Sequence, residues 1–419
     1  MCLHLRLTTP HRLLLSPTCL SSGIPPKSLP YASDCAPSPA HTSLGSTGSF
    51  ADEARFPLWD RSGAVKTERF SYLESPQTLA EFFTRFLCMD DAQRGWDQIV
   101  ALATPNMVRV LPHTQRTLDD ADTYPVWKIR GVNEATGRST DLIVKRPFAE
   151  HSPLVGWGTR GYIAYDMLEQ RLVFLKDTWR SKHTLLQPKF TTYQQLFSQD
   201  VSFLPRVLYG GDVLDTSSSP QSTLADELSV HAPEALLTTS RLEGFLHHRI
   251  VQDIAYSLLS VQDERELVLE KAHESLNFVH RDLTWNNIML TREGECILND
   301  WDHSGPMHAG FCGVGTPLSM SIRLLSTPTK PNEVVDDLES LYWILIRVAI
   351  SRFATHFDGL PVEFFRTQGN HYDVSRQKIR HLGDPAFYEG RFRCAALADL
   401  IRDVGRAWGP STAAPSSGR

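Results

Sequence analysis

Residues 278–290 read FVHRDLTWNNIML, and within this run Asp282 and Asn287 stand five positions apart between apolar flanks. A carboxylate held on a loop between buried anchors can take a proton from a hydroxyl. An amide oxygen beside it suits a hard cation that prefers oxygen ligands. Phosphoryl transfer uses both functions. His280 would brace such a loop, and Arg281 would pair with an acidic or phosphorylated segment. A second carboxylate follows in ILNDWDHS, where an apolar strand end leads into Asp300 and Asp302. Two loops that each bring one carboxylate to the same cleft make the usual magnesium arrangement for nucleotide phosphates. Asp300, nearer the strand end, is the preferred ligand, Asp302 the other candidate. Seen in isolation, the same acid is a turn residue capping the next segment.

Two further features precede these. GWGTRGY sets Gly156, Gly158 and Gly161 at GxGxxG spacing. Dinucleotide-binding folds share the spacing, but there a helix follows; here YIAYDML continues as a β-prone run. A hairpin whose glycines let backbone amides approach phosphates fits better, with a plain flexible turn as the bland alternative. Lys176 lies fifteen positions beyond Gly161 in LVFLKDTW. A lone lysine in an apolar strand usually occupies a solvated face. Placed after a glycine hairpin, it can reach the α and β phosphates of a nucleotide as a point charge.

The elements that must position these residues follow from periodicity. Leu79, Phe82, Phe83, Phe86 and Leu87 have helical spacing, so a helix with one apolar face is predicted over 76–103. Between 124 and 177 the period falls to two. YPVWKIRG and STDLIVKRP bracket a turn at Thr136-Gly137 and predict a hairpin; GYIAYDML and RLVFLKDTW add two more strands to an antiparallel sheet. PKFTTYQQLFSQ (188–199) reads as a helix, LPRVLYGG as a return strand, 216–240 as a polar insertion, and HHRIVQDIAYSLL as a strand. ERELVLEKAHESL (264–276) is helical, and DDLESLYWILIRVAISRF from Asp336 is strongly so, with Leu338, Leu341, Tyr342, Leu345 and Val348 on one side. Sheet first and helices second predict an α+β protein with a cleft between its halves.

Bulk properties narrow the function classes. At 419 residues, 41% apolar and 21% charged, the chain is globular and exceeds one average domain. A formal charge of −6 gives no electrostatic footprint for nucleic acid. Seven cysteines without a CxxC pair, and sixteen histidines without metal spacing, argue against a disulfide framework or zinc site. A reducing intracellular compartment, cytoplasmic or nuclear, is expected. No run of eighteen apolar residues exists, so no membrane association is expected. Residues 1–52 are rich in Ser, Pro and Thr and read as a disordered leader. Its first 33 residues lack any acid, as in an organelle transit peptide, but Pro10, Pro17, Pro25, Pro26 and Pro30 interrupt any amphipathic helix there. The expected organisation is the leader to 52, a helical extension over 53–123, a sheet-rich half over about 124–255, a helical half over about 256–408, and a frayed tail from 409.

LIVKRPF, VGWGTRGYIAYDMLEQRLVFLKDTWR, HRDLTWNNIML, NDWDHS, GTPLSMSIRLL and DDLESLYWIL occur in this order, and over roughly 76–350 the chain resembles the fungal-type protein kinase family within the protein-kinase-like superfamily. The resemblance implies a two-lobed kinase fold with ATP between the lobes, Mg2+ on the phosphates and a protein substrate whose Ser/Thr hydroxyl receives the γ-phosphoryl group. By match to the family motifs, Gly156, Gly158 and Gly161 cover the phosphates and Lys176 grips them. Asp282 is the catalytic base, and Asn287 with Asp300 holds metal. Gly315 and Thr316 would shape the peptide-docking surface, and Asp337 would brace the catalytic loop from a central helix.

The chain also departs from that pattern. The helix after the lysine strand has no acid: between Asp177 and Asp200 there is none, and Lys189 stands where the resemblance leads one to expect the glutamate that orients the lysine. The metal motif reads Asp-Trp-Asp rather than Asp-Phe-Gly, and Arg323 replaces the acid that closes the activation segment in most kinases. Two other readings therefore stand beside a Ser/Thr protein kinase. One is a pseudokinase that binds nucleotide or partners without turnover. The other is a small-molecule phosphotransferase of the aminoglycoside or choline kinase kind, whose metal motif NDWD resembles.

Overall fold

The structure is a computed structural model that describes residues 2–5, 52–89, 97, 99–109, 125–133, 136–148, 154–183, 187–215, 218–230, 242–257, 278–306, 315–327, 329–353, 371–382, 392 and 395–408. Within the leader expected to be disordered over 1–52, Cys2–Leu5 instead form a strand paired with Gly63–Thr67; residues 6–51, the helical run 264–276, residues 216–217 and 231–240 of the polar insertion and the tail from 409 lie outside the described residues. The chain divides into two compact units, Met1–Phe190 with Arg206–Ile254 and Thr191–Pro205 with Ala255–Arg419.

In the first unit the elements run β1 (Cys2–Leu5), β2 (Glu53–Ala54), β3 (Pro57–Asp60), β4 (Gly63–Thr67), β5 (Phe70–Ser71), α1 (Pro76–Cys88), β6 (Val100–Leu102), α2 (Pro105–Val108), β7 (Trp127–Val132), β8 (Ser139–Pro147), β9 (Arg160–Asp166) and β10 (Arg171–Ser181). The helix α3 (Lys189–Ser198) begins in the first unit and ends in the second; β11 (Val207–Asp212), α4 (Ala225–Ser229) and β12 (Phe245–Gln252) complete the first. Seven strands form one sheet in the order β11-β12-β10-β9-β8-β7-β6, antiparallel at every pairing. The predicted hairpins β7–β8 and β9–β10 both form. Alternation sends Trp127, Ile129, Leu142, Val144, Tyr162, Ala164, Val173 and Leu175 into one buried core, joined by Tyr209 and Val251.

Beyond Leu175 the same face of β10 continues with Asp177 and Trp179. Opposite them, the Val251 face of β12 continues with Arg249 and His247. The apolar core therefore ends in a buried ion network. Asp177 Oδ1 accepts from Arg249 Nε at 2.8 Å and faces His247 Nε2 at 2.7 Å, while Arg249 Nη2 reaches Asp97 Oδ2 at 3.1 Å. Gln221 closes the ring, donating to Asp97 Oδ1 at 3.2 Å and presenting Oε1 to His247 Nδ1 at 2.8 Å. The Trp179 ring stacks on His247 at 4.7 Å. Burial alone would push the Asp177 carboxyl up; Arg249 and His247 outweigh it and hold the group well below the usual carboxylate range.

The helix predicted over 76–103 ends at Cys88, and Val100–Leu102 is an edge strand paired with β7. Here β-branched Val100 supplies a core side chain, and sheet pairing overrides the helical pattern further upstream. Nor is 53–123 a helical extension, since it carries four strands ahead of α1. In FPLWDRSGAVKT a polar turn with Gly63 separates two short β-prone runs, which pair as β3–β4. Leu58 and Val65 of this hairpin pack against Leu224 and Ala225 of the insertion.

The second unit contains β13 (Tyr256–Ser257), β14 (Phe278–Val279), β15 (Ile288–Leu290), β16 (Cys296–Leu298) and β17 (Gly305–Pro306) in two small sheets, β13-β15-β16 and β14-β17. A short 3-10 turn, Trp301–His303, precedes β17. Helices α5 (Ile322–Ser326), α6 (Val334–Phe353), α7 (His371–Leu382) and α8 (Ala395–Ala407) follow. The long helix α6 is buried on most of its circumference through Trp343, Ile344, Ile346, Ala349 and Ile350, whereas Leu338, expected on its buried side, is exposed. A large antiparallel sheet followed by helices is the expected α+β class. Among the described residues no helix is long and apolar enough to cross a membrane.

The ion network yields a stability test. Arg249→Met would leave Asp177 and Asp97 buried without their shared cation, at a loss of about 3–5 kcal/mol. Urea unfolding of the variant beside the parent is expected to show a lower midpoint with an unchanged slope.

Candidate active site

In the second unit the site is built on the loop that leaves β14. The backbone N–H groups of its first two residues converge on one carboxylate: His280 N donates to Asp337 Oδ2 at 2.7 Å and Arg281 N to Oδ1 at 3.2 Å. Asp337 projects from the first turn of α6. Burial raises its carboxyl to about 7, against the two N–H bonds that favour the ionised form. The φ of Arg281 is +70°, a conformation that residues with side chains adopt only where surrounding contacts impose it. Burial pulls His280 below its ordinary range. Its neutral ring then serves as a two-way brace: Nδ1 accepts from Asp282 N at 3.3 Å and Nε2 donates to the Asn299 carbonyl at 2.9 Å, a tautomer assigned from these partners. The ring packs on Trp301 at 4.8 Å, and the Trp301 indole N–H donates to the Leu298 carbonyl at 2.8 Å. The bulky residue of the Asp-Trp-Asp motif is thus a buried wall of the loop.

Asp282 follows, half-buried. Its carbonyl accepts the Asn287 side-chain N–H at 2.8 Å, and its Oδ1 accepts the Thr316 hydroxyl at 2.9 Å. Because Asn287 Nδ2 is committed to Asp282, the amide is oriented, and Oδ1 is the atom it has left to offer a cation. Ile288 pairs with Leu298 in the β15–β16 hairpin, and Asn299 N donates to the Asn287 carbonyl at 2.7 Å. Strand register therefore brings Asp300, one residue further, to the Asn287 end of the hairpin. Asp300 has φ +66° and ψ +54°, and its N–H donates to the Tyr193 hydroxyl at 3.2 Å. Tyr193 in turn donates to Asn299 Oδ1 at 3.0 Å and is fully buried. An acid-free helix holds the strand end before Asp300 through a tyrosine, and the only signal in the sequence was an aromatic at a core position of PKFTTYQQLFSQ.

The segment around Thr316 is anchored separately. Gly315 has φ +135°, and a Cβ there would lie 2.8 Å from the Arg281 carbonyl, so only glycine fits. Ser321 Oγ donates to Asp336 Oδ1, Ile322 N donates to Glu339 Oε1 at 2.8 Å, and the Trp343 indole donates to the same oxygen at 3.0 Å. The Lys378 ammonium donates to the Met320 carbonyl and lies 4.7 Å over the Trp343 ring. Burial pushes Glu339 up and Lys378 down. Glu339 of α6 thus ties down the backbone next to Arg323, a contact that spacing within SMSIRLL does not reveal.

The remaining predicted residues belong to the first unit. Lys176 sits on β10 opposite Gly161 of β9 and Ile250 of β12, on the face away from Val173 and Leu175, half-buried. Gly161 lies in the sheet ladder, its carbonyl accepting Phe148 N at 2.8 Å. The Gly156 N–H donates to the Arg61 carbonyl at 2.7 Å, so this amide is not open to a ligand, unlike the expectation that all three glycines present their backbone to phosphates. The predicted residues thus fall into two sets: Asp282, Asn287 and Asp300 gathered by the β15–β16 hairpin, and Gly156, Gly158, Gly161 and Lys176 on β9, β10 and the turn before β9.

Chemically, the first set offers a carboxylate with one oxygen already bonded, an oriented amide oxygen and a second carboxylate. Among the described residues no group of three His, Cys, Asp or Glu side chains could hold a metal by itself. An amide and a carboxylate fit an ion that keeps waters and takes phosphate oxygens, as Mg2+ does.

A family model described as fungal protein kinase matches residues 50–349. Among solved structures, the chain is similar to the ROP18 kinase domain in complex with AMP-PNP and sucrose at 14% identity and a TM-score of 0.34, covering 72% of this chain and 95% of that one. No curated protein matches by sequence.

The raised Asp337 carboxyl gives a pH test. Its folded pKa of about 7 exceeds the usual 3.8, so the folded chain holds this proton more tightly. The corresponding stability is fully present below 3.8 and is lost as pH rises through about 7. Asp337→Asn is expected to flatten that part of the stability–pH profile, measured by chemical unfolding at a series of pH values.

Proposed function

The chain belongs to the fungal protein kinase family, and from that premise we propose that it is an ATP- and Mg2+-dependent Ser/Thr protein kinase. In this reading Asp282 accepts the proton of the substrate hydroxyl. Thr316 holds Oδ1 of that carboxylate, so Oδ2 is the oxygen that faces the hydroxyl. Asn287 and Asp300 would hold the metal, Gly156 and Gly158 in the turn and Gly161 at the start of β9 would cover the phosphates, and Lys176 would grip the α and β phosphates. When bound, Mg2+ supplies neutralisation of the charge on the transferring γ-phosphoryl group. His280, Asp337 and Tyr193 keep the loop in place by the hydrogen bonds described above and touch no substrate.

The observation that carries this reading is the coupling of Asp282 to both Asn287 and Thr316. One residue is tied at once to the amide proposed for the metal and to the segment proposed to receive the peptide, as a base that must sit between nucleotide and protein hydroxyl requires. A second reading, a pseudokinase that binds nucleotide without turnover, is favoured by the absence of any carboxylate in α3.

Purified protein given labelled ATP and Mg2+ with generic basic and acidic protein substrates separates these. Label is expected on protein, and Asp282→Asn is expected to lower the transfer rate about 100- to 10,000-fold with nucleotide binding retained. Nucleotide binding without transfer by the parent protein would sink the kinase reading in favour of the second. Transfer confined to alcohols or amines of small molecules would point instead to a small-molecule phosphotransferase.

A further inference from the structure

The glycine-bearing turn before β9 is gripped from two sides. On one side β10 holds it: the Trp157 carbonyl accepts Trp179 N at 2.7 Å and Thr178 Oγ1 at 3.2 Å, and the Thr159 and Thr178 hydroxyls bond at 2.8 Å. On the other side stands Arg61, at the tip of the β3–β4 hairpin. Its carbonyl accepts Gly156 N at 2.7 Å, and its Nη1 donates to the Leu154 carbonyl at 3.4 Å. The guanidinium also fills the space beside Gly158, where a Cβ would lie 2.3 Å from Cζ. Gly158 has φ +50°, a conformation that favours glycine, and an added methyl there would displace the arginine tip. Arg61 is 8% exposed.

The hairpin tip is itself fixed. Asp60 Oδ2 accepts Leu224 N at 2.7 Å and Ala225 N at 2.8 Å, and its Oδ1 accepts Ser62 N at 2.8 Å. Ser62 Oγ donates to Asp226, which is also bonded to Thr223 and to the Lys182 ammonium at the end of β10. The grip on the turn thus runs from the hairpin through the insertion and back to β10.

We propose that Arg61 is a positioning residue for the nucleotide, holding the Leu154–Gly158 turn in the one conformation that covers the phosphates, with the β3–β4 hairpin and α4 as its mount. This rests on the reading above in assigning that turn to the phosphates. The physical reason is preorganisation. A turn with positive-φ glycines loses much conformational freedom when it closes on a ligand, and contacts that order it beforehand remove that cost from binding. A planar guanidinium does this better than an ammonium, because its fixed fork can donate to a carbonyl while its face packs against the glycine. The hairpin lies within the residues matched by the kinase family, yet it is separated from the turn by some ninety positions of sequence.

The test is a binding measurement that does not depend on turnover. Dissociation constants of a fluorescent ATP analogue with Mg2+ are compared for the full chain, Arg61→Ala, Arg61→Lys, Gly158→Ala and the double variant Arg61→Ala/Gly158→Ala, with thermal midpoints measured alongside. Arg61→Ala is expected to weaken binding about tenfold, the equivalent of one hydrogen bond to a charged group, with Arg61→Lys recovering part of the loss. The Gly158→Ala penalty is expected to be smaller in the Arg61→Ala background, because the added methyl then has room. Should Arg61→Ala fail to fold, Arg61→Lys against the parent, with Gly158→Ala in each background, carries the same comparison. Parent protein that binds the analogue while the Arg61 variants bind it equally well, with additive Gly158 effects, overturns the role of Arg61 and leaves the kinase reading standing. Parent protein that binds no nucleotide overturns both.

Discussion

The N–H groups of His280 and Arg281 end together on the Asp337 carboxylate, and the candidate chemistry of the second unit is hung from that junction. Holding Arg281 at positive φ costs on the order of 1–3 kcal/mol. Two backbone bonds to one carboxylate, each worth roughly 1.5–3 kcal/mol when the acceptor is charged, are enough to offset it. What the kink achieves is direction: it sets His280 against Trp301 and the Asn299 carbonyl, and it delivers Asp282 to Asn287 and Thr316. Burial opposes ionisation of Asp337, so the residue that organises the loop is under tension between desolvation and its hydrogen bonds.

Around this junction the second unit uses polar side chains from distant segments to close what local sequence leaves open. Tyr193 takes the Asp300 N–H and the Asn299 amide oxygen. Glu339 takes the Ile322 and Trp343 N–H groups, and Lys378 takes the Met320 carbonyl. Each is buried, and an unpaired polar group in such surroundings is costly, so these contacts act as strict positional constraints rather than general adhesion. The first unit follows the same logic at the end of its sheet, where Asp97, Asp177, Arg249, His247 and Gln221 satisfy one another.

The departures from the kinase pattern acquire a physical meaning in this setting. An acid is absent from α3, but α3 still reaches the strand end before Asp300 through a hydroxyl. An acid is absent at position 323, and a carboxylate from α6 accepts the N–H of the residue before it.

Periodicity alone determined the sheet-forming runs from 127 to 181, the return strands and the long helix near 336, because alternation of apolar side chains reports directly on a surface with one buried face. Motif order and spacing also made Asp282, Asn287 and Asp300 on loops, and Lys176 on a strand, candidates for the chemistry. The sequence did not disclose that the helix at 76 stops at Cys88 or that Val100–Leu102 joins the sheet, because an edge strand three residues long carries no period of its own. Nor did it disclose Tyr193, Glu339 or Arg61 as supports. Their roles depend on which distant backbone N–H or carbonyl group is left without a partner, and only the tertiary structure decides that, because hydrogen-bond satisfaction is settled by proximity in space and not by proximity along the chain.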